Sequence, residues 1–367
     1  MKLNCLGMND PKQMDKEIES LQSASDAGDA DAMVTLGLYY IKGIKVAEDK
    51  KKGIELLQRA SDLGNSEAVF HLGCCFLKGV GVTEDKSKGI EMLQRASDMG
   101  DSTATCFPGV CYQEGDGVER DMDKSVAFYQ RASELGNAKA MFYLGMCYMK
   151  GQGVKQNKER GNELLQQASD LGDDFATCNL GVNCIKGDGV REDKRKGIEL
   201  LQRASEQGVP YAIAYLGMCY MKGNGVEEDK SKSIELLQRA SGLDDAFAMC
   251  NLGMCYMLGD GVPQDKKKGI ELYQRSSELG DSYAMFALAA SYLEGDGIEV
   301  NKKKGVELLQ RSSDLGNANA MCFLGLCYLQ GDGTKQDVSK AIDLLQNAAK
   351  LGNMEALQLL LRLSGRG

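Results

Sequence analysis

Residues 65–100 read NSEAVFHLGCCFLKGVGVTEDKSKGIEMLQRASDMG, and this stretch decides the fold. Asn65 is a good helix N-cap, and Ala68, Val69, Leu72, Gly73 and Phe76 then return at spacings of three or four, which places them on one face of a helix. Gly79-Val80-Gly81-Val82 stops that helix. Asp85 caps a second one, whose matching stripe is Gly89, Ile90, Leu93 and Ala96, and Gly100 ends it. The stretch therefore predicts a hairpin of two helices. Gly73, Gly89 and Ala96 leave no large side chain at their crossing, so backbone is expected to meet backbone there.

The same pattern recurs with a period of 36 residues. Its most regular mark is a glycine, usually preceded by Leu, at Gly37, Gly73, Gly109, Gly145, Gly181, Gly217, Gly253 and Gly325, with Ala289 standing in once. A mid-helix glycine costs about 1 kcal/mol relative to alanine, so its return in the second helix at Gly53, Gly89, Gly161, Gly197, Gly269 and Gly305 implies a packing requirement. A fixed period of this length predicts an all-α solenoid of helix-turn-helix repeats, in which function lies on the surface of the array rather than in one cleft.

Composition fits that expectation and excludes several alternatives. Hydrophobic residues make up 43% of the chain, Trp is absent and there are only four Pro. The net charge of −9 argues against nucleic acid as a partner, since phosphate binding needs a cationic footprint. Lysine clusters such as Lys50-Lys51-Lys52, Lys266-Lys267-Lys268 and Lys302-Lys303-Lys304 have acidic neighbours and read as a solvated face. No apolar run is long enough to span a bilayer, and Met1–Gly7 precedes a polar Asp10-Pro11-Lys12, so no membrane insertion, no cleaved signal and a cytoplasmic setting are expected.

Thirteen cysteines are present. Cys75, Cys111, Cys147, Cys219, Cys255 and Cys327 lie two residues after the repeated glycine, while Cys106, Cys178, Cys250 and Cys322 lie three before it. Equivalent sites on stacked helices are about 8–10 Å apart, too far for a disulfide, so these read as reduced, small apolar residues. No C-x₂-C pair occurs, and no metal site is expected. Nor is a cofactor: the Gly-x-Gly-Val loop follows a helix rather than a strand, unlike a phosphate-binding loop.

The series Ala-x₃-Leu-Gly-x₂-Tyr-x₂-Gly-x-Gly-Val-x₂-Asp-x₂-Lys, closed by Ala and then Leu-Gly, resembles the Sel-one-like repeat (SLR) family, a relative of the tetratricopeptide repeat. The resemblance covers residues 14–363 as one solenoid: a leading helix at 14–27, nine repeats over 29–352 and a terminal helix at 353–363, with 1–13 as lead-in and 364–367 as tail. It implies a right-handed superhelix that acts as a non-catalytic scaffold for a protein or peptide. Departures from the pattern predict local irregularity. Pro108 replaces the Leu before Gly109 and should shorten or kink its helix, Asn162 beside Gly161 weakens a second helix, Asp244 replaces a helix-ending glycine, and Gly43-Ile44-Lys45 lacks the second loop glycine.

In such folds the first helix of each pair lines the concave side, which makes its second stripe the expected binding surface. Positions six and two before the glycine supply Lys139, Tyr143, Phe175, Asn179, Tyr211, Tyr215, Phe247, Asn251, Tyr283 and Phe323. A second apolar stripe, one and four after the glycine, holds Met218, Met221, Met254 and Met257 and belongs either to a groove or to inter-repeat packing. Aromatic anchors would carry affinity, flexible Met would adapt to different apolar side chains, and Asn179 and Asn251 could pair with an extended backbone. Tetratricopeptide domains that clamp a C-terminal carboxylate use Lys or Arg at several of these sites, and here only Lys139 qualifies.

The family suggests two further readings. Some secreted SLR proteins bind or hydrolyse β-lactam-type ligands, and their disulfide pattern is absent here; the sole histidine, His71, lies one turn from Glu67 without an obvious nucleophile. Another SLR chain is an adaptor of a ubiquitin ligase in quality control, which would need a lumenal address. The last helix, Glu355–Leu363, is more apolar than a polar cap and is either a stopper on the preceding pair or a surface for self-association.

Overall fold

The computed structural model describes residues 11–364, so the lead-in over 1–10 and the last three tail residues lie outside it. Among the described residues there are twenty α-helices and no strand. The leading helix α1 (Pro11–Asp26) starts slightly earlier than position 14. Nine hairpins follow: α2 (Ala30–Lys42) with α3 (Lys50–Asp62), α4 (Ser66–Lys78) with α5 (Lys86–Asp98), α6 (Ser102–Glu114) with α7 (Met122–Glu134), and α8 (Ala138–Lys150) with α9 (Lys158–Asp170). Then come α10 (Asp174–Lys186) with α11 (Lys194–Glu206), α12 (Pro210–Lys222) with α13 (Lys230–Ser241), and α14 (Ala246–Leu258) with α15 (Lys266–Glu278). The last two are α16 (Ser282–Glu294) with α17 (Lys302–Asp314) and α18 (Ala318–Gln330) with α19 (Val338–Lys350), before α20 (Met354–Leu363). Two compact units are present, one up to Ala176 and one from Thr177 onward, and within each every helix packs on the next to give an all-α solenoid.

Most helices begin where a side chain replaces a missing backbone partner; α12 instead follows Val209, which has no capping side chain, and opens on Pro210, which has no amide to satisfy. Asn65 Oδ1 accepts from the Ala68 amide at 2.9 Å, and an Asp85 carboxylate oxygen accepts from the Lys88 amide at 3.0 Å. First helices end on a left-handed glycine such as Gly79 (φ +65°), whose amide donates to the Cys75 carbonyl. The second loop glycine is demanded by its neighbours as well as by its φ of +70°: a Cβ on Gly81 would stand 3.0 Å from Lys50 and Ile54 of the preceding repeat. Where Lys45 takes that place (φ +61°), its ammonium is held by both Glu17 oxygens at 2.6 Å, and this contact lowers the Glu17 pKa.

The hairpin crossing is backbone on backbone, as expected. A Cβ at Gly37 would lie 3.0 Å from the Gly53 carbonyl oxygen, and the pairs Gly73/Gly89, Gly145/Gly161 and Gly181/Gly197 give the same 3.0 Å. Beside it sit fully buried leucines, among them Leu57, Leu93, Leu165, Leu201, Leu237 and Leu309, each worth about 1.5–3 kcal/mol of burial.

Pro108 does not shorten its helix. α6 has 13 residues, the length of the other first helices, and Pro108 is buried within it. On the neighbouring second helix Tyr129 is fully buried against Gly109 with its hydroxyl donating to Gln113 Oε1 at 3.1 Å, as Tyr273 is buried against Gly253 in a repeat without the proline. Asp244 takes the left-handed conformation of the glycine it replaces (φ +60°) and pairs with Arg275.

Ionic links join successive repeats. A lysine at the start of a second helix reaches an aspartate 30 residues on, in Lys86–Asp116 (2.8 Å), Lys230–Asp260 (2.7 Å), Lys266–Asp296 (2.6 Å) and Lys302–Asp332 (2.6 Å). At Lys194 the residue 30 further on is Asn224, and the lysine turns to Glu192 at 3.4 Å. Twelve described cysteines are free, and among the described residues there is no group able to hold a metal ion and no helix long and apolar enough to cross a membrane.

Candidate functional site

In the unit from Thr177 onward, the first helices α12, α14 and α16 enclose an open groove of about 490 Å³. The repeat itself builds it. Residues six and two before the glycine project from one side of a first helix, and residues one after it project from the adjoining side. Tyr215, Phe247, Asn251, Tyr283, Met218 and Met254 all line the groove, so six of the sequence-derived residues come together.

The aromatic residues form a connected wall. Tyr211 lies 5.3 Å from Phe247 between ring centroids and 6.0 Å from Tyr215, and Tyr215 stacks on Phe247 at 6.3 Å. Tyr211 stays at the rim, 37% exposed, and Tyr283 stands out at 63%. Phe323 is placed one layer back, edge-on to Phe286 at 5.1 Å, and Phe286 itself is a lining residue. In the other unit, Tyr143 stacks on the buried Tyr129 at 5.1 Å, Phe175 is exposed 6.4 Å from Phe142, and Lys139 is exposed. Asn179 is half-buried.

The methionine stripe divides. Met254 is 41% exposed and Met218 half-buried, both in the groove. Met221 and Met257, four after the glycine, do not belong to it: both are buried, and Met257 covers Gly269 of its own hairpin, where a Cβ would meet its Cγ at 2.7 Å. These two are hairpin core. For Met257 the absence of a side chain at Gly269 creates the space that it fills; Met221 packs in the hairpin whose second helix carries Ser233 at that position. Asn251 is also less available than expected, because its amide nitrogen already donates to the Phe247 carbonyl at 2.7 Å.

Several lining residues were not singled out by sequence. Cys250 and Phe286 occupy the position three before the glycine, and the small Cys250 leaves room that Phe70, Phe142 and Phe286 fill in their own repeats. That alternation was visible in the sequence. Burial raises the Cys250 thiol pKa, and the Asp281 carboxylate beside it acts in the same direction. Asp281, Asn319 and Tyr273 complete the lining, with Lys222 and Asn224 where α12 ends.

The histidine pair has the geometry of a surface contact. His71 Nε2 stands 3.6 Å from Glu67 Oε1, and burial lowers the His71 pKa. The neighbouring Cys74 thiol is pushed up to about 12 by burial, so it is no thiolate at neutral pH.

The Sel1 repeat model matches nine segments: residues 30–65, 66–101, 106–137, 138–173, 175–209, 210–245, 246–281, 282–317 and 318–353. Among solved structures, the chain is similar to c5321, a protective antigen of uropathogenic Escherichia coli with an SLR fold, at 26% identity and a TM-score of 0.61 over 95% of this chain and 75% of that one. It is also similar to a Sel1 repeat protein of Oxalobacter formigenes, at 25% identity and a TM-score of 0.54 over 89% and 93%. The human IFIT1 dimer with m7Gppp-AAAA has 14% identity and a TM-score of 0.53 over 99% and 88%, a likeness of fold alone. A comparison with curated protein sequences gives no match. None of these matches indicates a catalytic family.

Proposed function

The chain belongs to the Sel1 repeat family, and on that premise we propose that it is a non-catalytic scaffold that receives a short segment of a partner protein on the first-helix face of its repeats. Proteins of this family are generally protein-interaction scaffolds. The observation that carries the reading is the aromatic and methionine groove over α12, α14 and α16, where Tyr211, Met254 and Tyr283 stay exposed although the hairpin does not require them. Exposed anchors around a preformed cavity are what affinity for an apolar segment needs.

The test uses residues whose loss cannot empty the core. Tyr215 and Phe247 stack on each other, whereas Tyr211, Met254 and Tyr283 are 37%, 41% and 63% exposed. A Tyr211→Ala, Met254→Ala, Tyr283→Ala chain should melt like the parent and lose the proteins that the parent captures. Undiminished capture by the folded variant would show that this face is not the binding surface.

A further inference from the structure

The groove has two unlike edges. Lys222 stands at the end where α12 finishes, and Asp281 at the opposite end, where α16 begins. Asp245 occupies the matching N-cap of α14, next to Tyr211 in the field of its charge.

This N-cap position does not require a carboxylate. Asn65, Asn137, Asn317 and Asn353 fill it elsewhere and cap their helices through Oδ1. Their amide nitrogens also reach back to the preceding repeat: Asn65 to Asp31 Oδ1 at 2.7 Å, Asn137 to the Ser102 carbonyl at 3.2 Å, Asn317 to the Ser282 carbonyl at 3.3 Å. A carboxylate has no proton to give. Asp245 and Asp281 therefore cap their helices, accepting from Ala248 and Ala284 at 2.7 Å, and forgo that link. Asp29, Asp101 and Asp173 also take this position, but singly; only Asp245 and Asp281 put carboxylates on two successive repeats, at the edge of an aromatic groove. Burial and the charge of Asp281 both hold the Asp245 carboxyl above its ordinary pKa, so a cation brought beside the pair relieves their repulsion.

The walls suit such a cation. Aromatic faces attract ammonium and guanidinium groups within about 6 Å, and Lys186 Nζ already lies 5.6 Å from the Tyr215 ring centroid. The net charge of −9 adds long-range attraction for a basic partner.

We propose that the groove selects a segment with an apolar anchor beside a Lys or Arg, the anchor seated among Phe247, Met254 and Phe286 and the cationic head directed at Asp281. The proposal rests on the groove reading above. Lys222 repels a second cation from the far edge and so fixes the direction in which the segment lies.

The test is a random-peptide phage library panned against the full chain, with the Met254→Ala, Tyr283→Ala chain as counter-selection. Enriched peptides are then synthesised and measured by fluorescence anisotropy. The expected peptides share a Lys or Arg next to an apolar residue. Asp281→Asn, which keeps the cap and should keep the melting temperature, is expected to weaken them roughly tenfold or more, as for a hydrogen bond to a charged group. Replacing the peptide Arg with citrulline should weaken binding by a similar factor, with no further loss when both changes are combined. Groove-dependent peptides without a basic residue, or with affinity unchanged by Asp281→Asn, would overturn the cationic proposal and leave the groove standing. If no peptide depends on Met254 and Tyr283, both readings fall.

Discussion

Replacing Gly53 with alanine tests the claim that backbone contact sets the hairpin. The new methyl group would stand 2.5 Å from Ile41 Cγ1 and 2.7 Å from the Gly37 carbonyl oxygen, where ordinary contacts begin at 3.4 Å. Isoleucine is branched at Cβ and cannot swing aside, and the carbonyl belongs to helix backbone, so α2 and α3 must part by several tenths of an ångström. Overpacking of this kind costs about 1–3 kcal/mol, and alanine regains about 1 kcal/mol of helix propensity. With contacts as short as 2.5 Å to a branched side chain the cost lies in the upper part of that range, about 2–3 kcal/mol, so the expected net loss is about 1–2 kcal/mol. Gly269 is the control, because its methyl would meet Met257 Cγ and Sδ at 2.7 and 2.8 Å and the Gly253 oxygen at 3.0 Å, and an unbranched Met can turn away. Gly269→Ala should stay within about 0.5 kcal/mol of the parent once the propensity gain is included. The chain contains its own precedent: Ser125, Ser233 and Ala341 occupy this position, and a Cβ on Gly325 would lie 3.3 Å from the Ala341 oxygen, against 3.0 Å for Gly37 and Gly53. Urea unfolding followed by circular dichroism would measure the loss. Hydrogen exchange of the α2 and α3 amides would locate it, since repeat arrays need not unfold as one unit. A Gly53→Ala chain as stable as the parent, or an equal loss in both variants, would refute the argument.

Two other outcomes follow from the structure. Pro108→Leu restores the missing amide of α6 and should raise the urea midpoint by at least about 1 kcal/mol of stability, part of the roughly 3 kcal/mol that an internal proline costs; a lower midpoint would mean that the site has closed around the ring. Burial raises the Asp245 pKa above its unfolded value, so its contribution is intact below the unfolded pKa and is lost as pH rises through the folded one. Asp245→Asn should accordingly raise the urea midpoint at neutral pH and leave it unchanged near pH 3, and an equal effect at both would contradict this assignment.

The hairpins were legible because each depends on contacts within 36 residues: glycine spacing fixes the crossing, and Asp or Asn fixes the cap. The groove was legible only in part. Sequence periodicity put Met254 and Met257 on one stripe, yet a turn of helix separates a groove residue from a core residue, and the difference lies in Gly269 on the partner helix. Pro108 misled because its helix keeps the full 13 residues around the ring, which spacing alone does not show. Nothing in the sequence distinguishes Asp281 from the other acidic residues that precede first helices; its place beside Cys250 and Phe247 comes from the fold.

Where they occur, the lysine-to-aspartate links between repeats act as springs whose stiffness depends on salt. Where Asn224 replaces the aspartate, that spring is missing, and Asn224 lines the groove. Added salt should soften the joints at Asp260, Asp296 and Asp332 while changing the one at Asn224 least. The repeats on either side of the groove thus differ in how far salt can alter their mutual geometry, a difference set by one residue of the groove lining.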